Sequence, residues 1–312
     1  MSILLDVMLP VFGLVLLGYG AVRLKWLDAD AVRGLSLFVF NFALPAMLFR
    51  ALATTRLPED IEWAFLLSYY IAALVVFGLG MVVAGRGFGR PLAGQGLAGL
   101  TASYSNTVLL GIPIVLTAFG DAAALPLFLV IATHNLVLFP PATALIEAGL
   151  GRRNSLRRLP TSTLAGMARN PIVGGLTLGL VFNLLGLGIP KPLDSIVSTL
   201  GAAAVPAATF ALGATLARYR IAGALKEAGT LVCIKTIVQP AIVWLLATRV
   251  FDVAPLWASV AITMAALPTG INAYLFAERY DHGVATAATA VLLSTGLSIG
   301  TLSVLLFLLP AG

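Results

Sequence analysis

The 312-residue chain has a single cysteine, Cys233, so it can form no internal disulfide and offers no cysteine-based metal cluster. Charged side chains are also scarce, at 10% of the chain, whereas soluble domains carry about 25%. Hydrophobic residues make up 60%. A chain with so little charge cannot cover a water-facing surface. Its long apolar runs predict an all-α polytopic membrane protein.

Carboxylates are missing from the middle of every apolar run, because all 13 Asp and Glu residues lie at run ends or in loops. This argues against a cation–proton antiporter that carries its ions on buried acids, and favours an anionic substrate. An intramembrane enzyme would need an acidic pair, a Ser–His dyad or a metal cluster within the runs. None is present in the sequence, so we predict neither an enzyme nor a metal site.

Ten apolar runs are each long enough to cross a membrane. We place them at 4–22, 33–52, 62–84, 93–118, 122–146, 171–188, 193–216, 229–248, 255–277 and 284–308. The N-terminal stretch has no basic residues, and no small-residue cleavage site follows it. We therefore expect the first run to stay in the mature protein.

The basic residues between the runs predict the topology. Fourteen Lys and Arg residues flank the odd-numbered connections, and only four flank the even-numbered ones. Because basic loops stay in the cytoplasm, the odd connections are predicted to be cytoplasmic and both termini to be outside. Membrane orientation also explains the net charge of +6 without any nucleic-acid partner. The RRNSLRR segment is interpreted as a topogenic signal, with anionic headgroups as an alternative ligand.

Similar features recur five runs apart, which predicts an inverted repeat. Pro45 in the second run corresponds to Pro206 in the seventh, and the fourth and ninth runs each combine a central Pro with an Asn. Since five is odd, the second copy must cross the membrane in the opposite sense. Interrupted helices at matching positions are the strongest sequence indication of a secondary transporter's binding site. We predict that helices four and nine break at Pro and cross at mid-membrane.

The predicted crossing would place free backbone amides and carbonyls against a cavity. Half-helix N-termini there would supply partial positive charge suited to a carboxylate. The side chains of Asn106 and Asn272 would offer donors and acceptors, and Gly111 and Gly270 would permit unusual dihedral angles and close approach. The alternative is a pair of Pro-kinked helices whose Asn side chains are satisfied locally.

Four stretches resemble the auxin efflux carrier family, which includes plant auxin exporters and bacterial malate and malonate permeases. They are FNFALPAMLF (40–49), YSNTVLLGIPI (104–114), PAATFALGATL (206–216) and PTGINAYLFAERY (268–280). The resemblance implies two inverted five-helix halves, 1–148 and 170–312, joined by a basic cytoplasmic loop at 149–169. Helices 1, 2, 6 and 7 would form a dimerising scaffold. Helices 3–5 and 8–10 would form a transport domain that moves like an elevator.

Matching the family motifs to this chain implies that Asn106, Pro113, Pro268 and Asn272 are the crossover residues that line the substrate site. From their positions beside these residues, we expect the site also to include Tyr104, Thr107, Gly111, Thr269 and Gly270. The chain departs from plant exporters in its short central loop and in Thr54, Thr55 and Arg56, where those exporters often carry an acidic residue. A bacterial inner-membrane carrier of a small organic anion fits these departures better than an auxin exporter. An auxin-like carboxylate remains within the implied substrate class, and no cofactor is implied.

Two ionisable residues inside the runs are candidates for coupling to H⁺ or Na⁺. Lys235 has two possible roles. It either takes part in transport, as a charge partner for the substrate or in proton coupling, or its side chain snorkels to the membrane interface, about 9 Å away along its helix. His134 either carries a coupled proton or donates to a carbonyl freed by Pro140 and Pro141. The alternative within transporters is a sodium-coupled symporter of the bile-acid-carrier type, which strict sodium dependence would distinguish.

Overall fold

The computed structural model describes residues 7–55, 61–152, 159–219 and 224–309. These residues form helices with short π and 3₁₀ segments, and their β geometry is limited to an isolated bridge between Ser105 and Thr269. The prediction of an all-α chain is therefore confirmed for the described part. Segments 1–6, 56–60, 153–158, 220–223 and 310–312 lie outside it, and with them most of the RRNSLRR motif.

Thirteen helices are labelled here in chain order, each with any π or 3₁₀ turn that continues it. They are α1 (Leu9–Arg23), α2 (Ala29–Thr54), α3 (Trp63–Gly87), α4 (Leu92–Ser103), α5 (Thr107–Phe119), α6 (Asp121–Gly149), α7 (Leu159–Ala168), α8 (Pro171–Leu184), α9 (Lys191–Leu216), α10 (Leu225–Val250), α11 (Pro255–Ala266), α12 (Ile271–Tyr280) and α13 (Val284–Leu308). Within the described residues, six helices are long and apolar enough to cross a membrane: α2, α3, α6, α9, α10 and α13.

The fourth and ninth apolar runs are each divided into two helices. The fourth becomes α4 and α5, separated by residues 104–106, and the ninth becomes α11 and α12, separated by residues 267–270. The second break contains Pro268, as the sequence predicts. The first does not contain Pro113, so that part of the prediction is wrong. Pro113 follows the π turn Thr107–Gly111, and the wider turn accommodates a residue that lacks an N–H group.

Helices α1, α2, α8 and α9 pack together through close backbone contacts at glycines. A Cβ atom at Gly18 of α1 would collide with the Phe210 carbonyl of α9, and one at Gly213 of α9 would collide with the Val15 carbonyl of α1. Helix α8 approaches α2 similarly, with Gly175 against the backbone of Pro45. We call these four helices the first bundle.

Helices α3–α6 and α10–α13 form a second set of mutual contacts, called here the second bundle. Helix α4 packs between α3 and α6, while α10 packs against α11 and α13. Large apolar side chains remain exposed on the outer surface, as on Leu184 at 69% and Phe307 at 73%. An apolar exterior of this kind is expected of helices that face lipid.

Candidate functional site

The two helix breaks lie side by side and bond to each other. The Asn106 amide donates to the Pro268 carbonyl at 2.9 Å, and the Gly270 amide donates to the Tyr104 carbonyl, also at 2.9 Å. Together with the Ser105–Thr269 bridge, these bonds make a short antiparallel pairing between the second bundle's two interrupted helices. Each break thus satisfies polar backbone groups that the other leaves without a helical partner.

Side chains from the following helices satisfy one more amide in each break. The Ser105 amide donates to His134 Nε2 of α6 at 3.1 Å, and the Thr269 amide donates to Ser294 Oγ of α13 at 3.0 Å. His134 Nε2 must therefore be unprotonated, which places the ring proton of the neutral form on Nδ1. The expected bond from His134 to a carbonyl freed by Pro140 and Pro141 is absent among the described residues. The ring accepts the nearer amide of the break instead.

Tyr104 links the two breaks to α6 through its hydroxyl group. This group donates to Asn135 Oδ1 at 2.6 Å and accepts from Asn272 Nδ2 at 2.7 Å. The Tyr104 ring lies over Gly270, where an added Cβ would come within 2.7 Å of ring atoms. Gly270 has an ordinary φ of −74°, as does Gly111 with −62°. Close approach, and not an unusual dihedral angle, is therefore what requires glycine at position 270.

Asn106 is the buried amide of the site without a protein partner. Its side chain is 5% exposed, and Nδ2 has no hydrogen-bond partner among the described residues. The residue directly precedes α5, yet its side chain does not cap that helix. An unpaired buried donor costs about 1–3 kcal/mol, so Nδ2 is poised to donate to a ligand or a water molecule.

A cavity of about 550 Å³ adjoins the breaks and is called here the break cavity. No Asp, Glu, Lys or Arg lies among its described lining residues, and its polar groups are amides and hydroxyls. The lining residues come from both bundles: Ser36, Phe40, Tyr104, Ser105, Asn106, Thr107, Val108, Leu109, Ile131, Asn135, Gly166, Asn170, Pro171, Ile172, Val173, Ala211, Thr215, Tyr219, Gly270, Ile271, Asn272 and Leu275. Its size is typical of a small-molecule site.

Three helices begin on the wall of the break cavity: α5 at Thr107, α8 at Pro171 and α12 at Ile271. Helix N-termini carry partial positive charge and unpaired N–H groups, so together they favour an anion. One first-turn donor is already used at each helix: Thr107 N donates to the Ser105 carbonyl at 2.9 Å, Ile172 N to Asn170 Oδ1 at 3.0 Å and Ala273 N to the Gly270 carbonyl at 3.0 Å. The cavity therefore offers positive potential without a fixed cationic side chain.

Some of the predicted site residues line the break cavity, and others do not. Tyr104, Asn106, Thr107, Gly270 and Asn272 line the cavity. The other predicted residues do not, namely Gly111, Pro113, Pro268, Thr269, His134 and Lys235. Thr269 instead donates through its hydroxyl to the Thr101 carbonyl at 3.0 Å.

Six polar residues on the wall were not among the predicted site residues: Ser36, Ser105, Asn135, Asn170, Thr215 and Tyr219. Two of these residues could have been identified from sequence patterns. Asn135 is an amide in the middle of an apolar run, and Asn170 before Pro171 has the pattern of a helix N-cap. Thr215 and Tyr219 reach the cavity only through the packing of α9, which no local pattern indicates.

Lys235 is completely buried, and its Nζ atom donates to the Ala265 carbonyl at 2.5 Å. The expectation that this side chain snorkels to the interface is therefore wrong. Helix α11 ends at Ala266, so the Ala265 carbonyl has no amide partner within its own helix. The ammonium group supplies the missing donor from the neighbouring helix α10.

A second cavity of about 790 Å³ also lies between the two bundles and is called here the Arg50 cavity. The described lining residues of the two cavities do not overlap. The walls of the Arg50 cavity include Arg50 and Ser198 from the first bundle and Asp121 and Trp257 from the second. Arg50 also forms an ion pair with Asp194 at 2.6 Å.

A family model described as membrane transport protein matches residues 3–306. The chain belongs to this family, the auxin efflux carriers. The match confirms the resemblance inferred from the four sequence stretches. The protein is a membrane transporter, in agreement with the prediction that it is not an enzyme.

Named relatives align over nearly the whole chain. A Rhizobium meliloti (strain 1021) protein, named as a candidate malonate transporter, is 29% identical over 100% of this chain and 98% of its own length. Auxin efflux carrier component 8 of Arabidopsis thaliana is 24% identical, with 96% of this chain and 95% of the relative covered. The Escherichia coli (strain K12) uncharacterized transporter YfdV is also 24% identical, over 91% of this chain and 92% of its own.

Proposed function

We propose that this auxin efflux carrier family member moves a small organic anion across the membrane and binds its carboxylate at the two helix breaks. The proposal rests on Asn106, which lines the break cavity and whose buried Nδ2 donor has no hydrogen-bond partner among the described residues. Three helix N-termini on the same wall add positive potential. The name of the Rhizobium meliloti relative adds malonate to the candidate substrates, beside monocarboxylates and auxin-like carboxylates.

The proposal includes a ten-pass chain made of two inverted halves. In this arrangement α4 with α5 forms the fourth pass and α11 with α12 the ninth, and the paired breaks are their crossing point. The helix packing supports the symmetry, since α1 packs on α9 while α2 packs on α8. In the proposed repeat α1 corresponds to α8 and α2 corresponds to α9. Exchanging the two halves therefore converts the α1–α9 pair into the α8–α2 pair. The side-chain caps on the Ser105 and Thr269 amides also occupy corresponding positions.

We propose alternating access by movement of the second bundle against the first, in the manner of an elevator. Both the break cavity and the Arg50 cavity lie on the boundary between the bundles. Sliding the second bundle, which holds the breaks, would carry bound substrate from one cavity towards the other. The first bundle would act as the fixed scaffold and as the contact surface of a homodimer, an assignment that rests on the family resemblance.

The orientation proposed for a bacterial inner membrane places the break cavity on the cytoplasmic side. Its wall includes Gly166, Asn170 and Tyr219, which adjoin the basic connections before α8 and after α9. Since basic connections stay in the cytoplasm, both termini would lie outside. The conformation described here would then be open to the inside.

Coupling to protons is assigned to His134 in this proposal. Protonation of Nε2 would remove the acceptor for the Ser105 amide and so disturb the break. The sodium-coupled alternative of the bile-acid-carrier type gains no support from the relatives described above, none of which is named as such a carrier.

The test is a current measurement on reconstituted protein using a solid-supported membrane. The panel contains acetate, lactate, malonate, malate and indole-acetate, each with and without sodium and with and without a pH gradient. A current with at least one carboxylate, absent from protein-free liposomes, is expected. If no carboxylate of the panel gives a current under any of these conditions, the organic-anion assignment is wrong. Currents driven by a pH gradient should disappear in His134→Gln if His134 carries the proton.

A further inference from the structure

Lys235 has no role in the proposed substrate site, although it is a fully buried lysine. It lies on α10, does not line the break cavity, and donates to the Ala265 carbonyl of α11. Among the described residues its ammonium group has no carboxylate partner, since the two ion pairs recorded there are Arg50–Asp194 and Arg90–Glu227. The bond to a backbone carbonyl is therefore the principal contact that compensates its burial.

The carbonyl that Lys235 binds lies at the C-terminal end of a half-helix. Such ends expose unpaired carbonyls and carry partial negative charge. In transporters with interrupted helices, these ends and the adjoining unwound carbonyls bind the coupling cation. In this protein a side-chain ammonium group occupies the end of α11. The corresponding end of α4 is satisfied by a neutral donor, the Thr269 hydroxyl, at the Thr101 carbonyl.

The same pair of helices buries further polar groups that lack partners. Gln239 follows Lys235 by one helical turn and so lies on the same face of α10, and both polar atoms of its side chain are unpaired among the described residues. The Thr263 hydroxyl of α11 is also buried and unpaired. Helices α10 and α11 therefore bury side-chain oxygen atoms that form no hydrogen bond among the described residues. Amide, hydroxyl and carbonyl oxygens are suitable ligands for a small monovalent cation.

We propose that Lys235 is a tethered cation that replaces a free coupling ion at the end of α11. Its ammonium group stabilises the C-terminal end of α11, which leads directly into the break residues 267–270. It thereby positions Gly270 and Asn272 for substrate and makes transport independent of sodium. This inference rests on the proposed transport function. Lys235 acts in it as a positioning residue, without contact to substrate.

The test uses chemical rescue of Lys235→Ala. This variant lacks the Cγ, Cδ, Cε and Nζ atoms of lysine, which the three carbon atoms and the ammonium group of n-propylammonium can replace. Wild-type transport should proceed equally well in sodium and in choline buffers. The variant should be slowed about tenfold in choline, and both n-propylammonium and sodium should restore much of the rate. 1-Propanol, which has the same chain without the charge, should not. Lys226→Ala removes an exposed lysine from the same helix and should behave like the wild type.

Wild-type rates for Lys235→Ala in choline would overturn the proposal, as would equal rescue by 1-propanol and n-propylammonium. If Lys235→Ala does not fold, Lys235→Met can be used instead, because methionine keeps much of the volume of the lysine side chain. Undiminished transport by Lys235→Met without sodium would also overturn the proposal. Lys235→Arg keeps the charge and should remain sodium-independent.

Thermal unfolding separates a failure of this inference from a failure of the transport proposal. n-Propylammonium should raise the melting temperature of purified Lys235→Ala, because a ligand that binds only the folded state stabilises it. It should leave the wild type unchanged. This measurement needs no substrate, so it decides the role of Lys235 even if no carboxylate is transported. An equal response of variant and wild type contradicts the proposal.

Discussion

Asn106 is the last residue of the first break and Asn272 lies in the first turn of α12 just after the second, and their amide groups are used differently. Asn272 Nδ2 is committed to the Tyr104 hydroxyl, whereas Asn106 Nδ2 has no partner in the described residues. In the proposed site Asn106 is therefore the donor that a carboxylate would engage directly. Asn272 is the anchor that keeps Tyr104 in place.

Tyr104→Phe should weaken substrate binding without unfolding the site. The change removes the hydroxyl that joins Asn135 and Asn272, while the ring keeps its contact with Gly270. Loss of these two partly buried hydrogen bonds leaves both amides without this partner, and we expect KM to rise about tenfold. Concentration dependence of the transport current measures this.

Tyr219→Phe is the matched control for that variant. Tyr219 lines the same cavity, but its hydroxyl makes no hydrogen bond among the described residues, and its ring packs on Tyr274 at 4.3 Å between centroids. Its KM should stay close to that of the wild type. A larger change in Tyr219→Phe than in Tyr104→Phe would contradict the assigned role of the Tyr104 hydroxyl.

At the scale of helices, glycine contacts between α1 and α9 are expected to set the stability of the first bundle. Gly213→Val should destabilise the protein, since its added atoms would collide with the Val15 backbone. Overpacking of this kind typically costs about 1–3 kcal/mol. Thermal unfolding in detergent should show a lower melting temperature. Gly20→Val, at a position with open space on α1, is the control and should unfold with the wild type.

The helices were more predictable from the sequence than the place at which they break. Long apolar runs fixed the positions of α2, α3, α6, α9, α10 and α13, because only composition over about twenty residues is needed. The break before α5 was placed at Pro113, but it lies at residues 104–106. A π turn absorbs the missing N–H of a proline, and single-sequence patterns do not indicate where such a turn forms.

Hydrogen bonding of the buried polar residues was the least predictable part of the candidate site. Asn106, Tyr104 and Thr107 could be placed beside a break from their position in an apolar run. The partners of His134 and Lys235 could not, because the Ser105 amide and the Ala265 carbonyl lie 29 and 30 residues away along the chain. Both groups become available only once the helices are interrupted and packed.

At the scale of the whole molecule, the two cavities define opposite ends of the proposed transport route. Single cysteines in a Cys233→Ser background can test this with a membrane-impermeant maleimide. Thr215→Cys in the break cavity should react from the cytoplasmic side, and Ser198→Cys in the Arg50 cavity from the outside. Transported substrate should slow labelling of Thr215→Cys. Reaction of both cysteines from the same side would contradict the proposed arrangement.

The most direct test of the central claim compares Asn106→Ala with Asn41→Ala in the solid-supported-membrane assay, using the best substrate of the panel. Asn41 is an exposed residue of α2 whose side chain bonds only to Leu37 of its own helix among the described residues, so its variant controls for the loss of an amide. We expect Asn106→Ala to lose about tenfold or more in substrate affinity, while Asn41→Ala keeps the wild-type affinity. Unchanged affinity in Asn106→Ala would show that the carboxylate does not bind at the paired breaks.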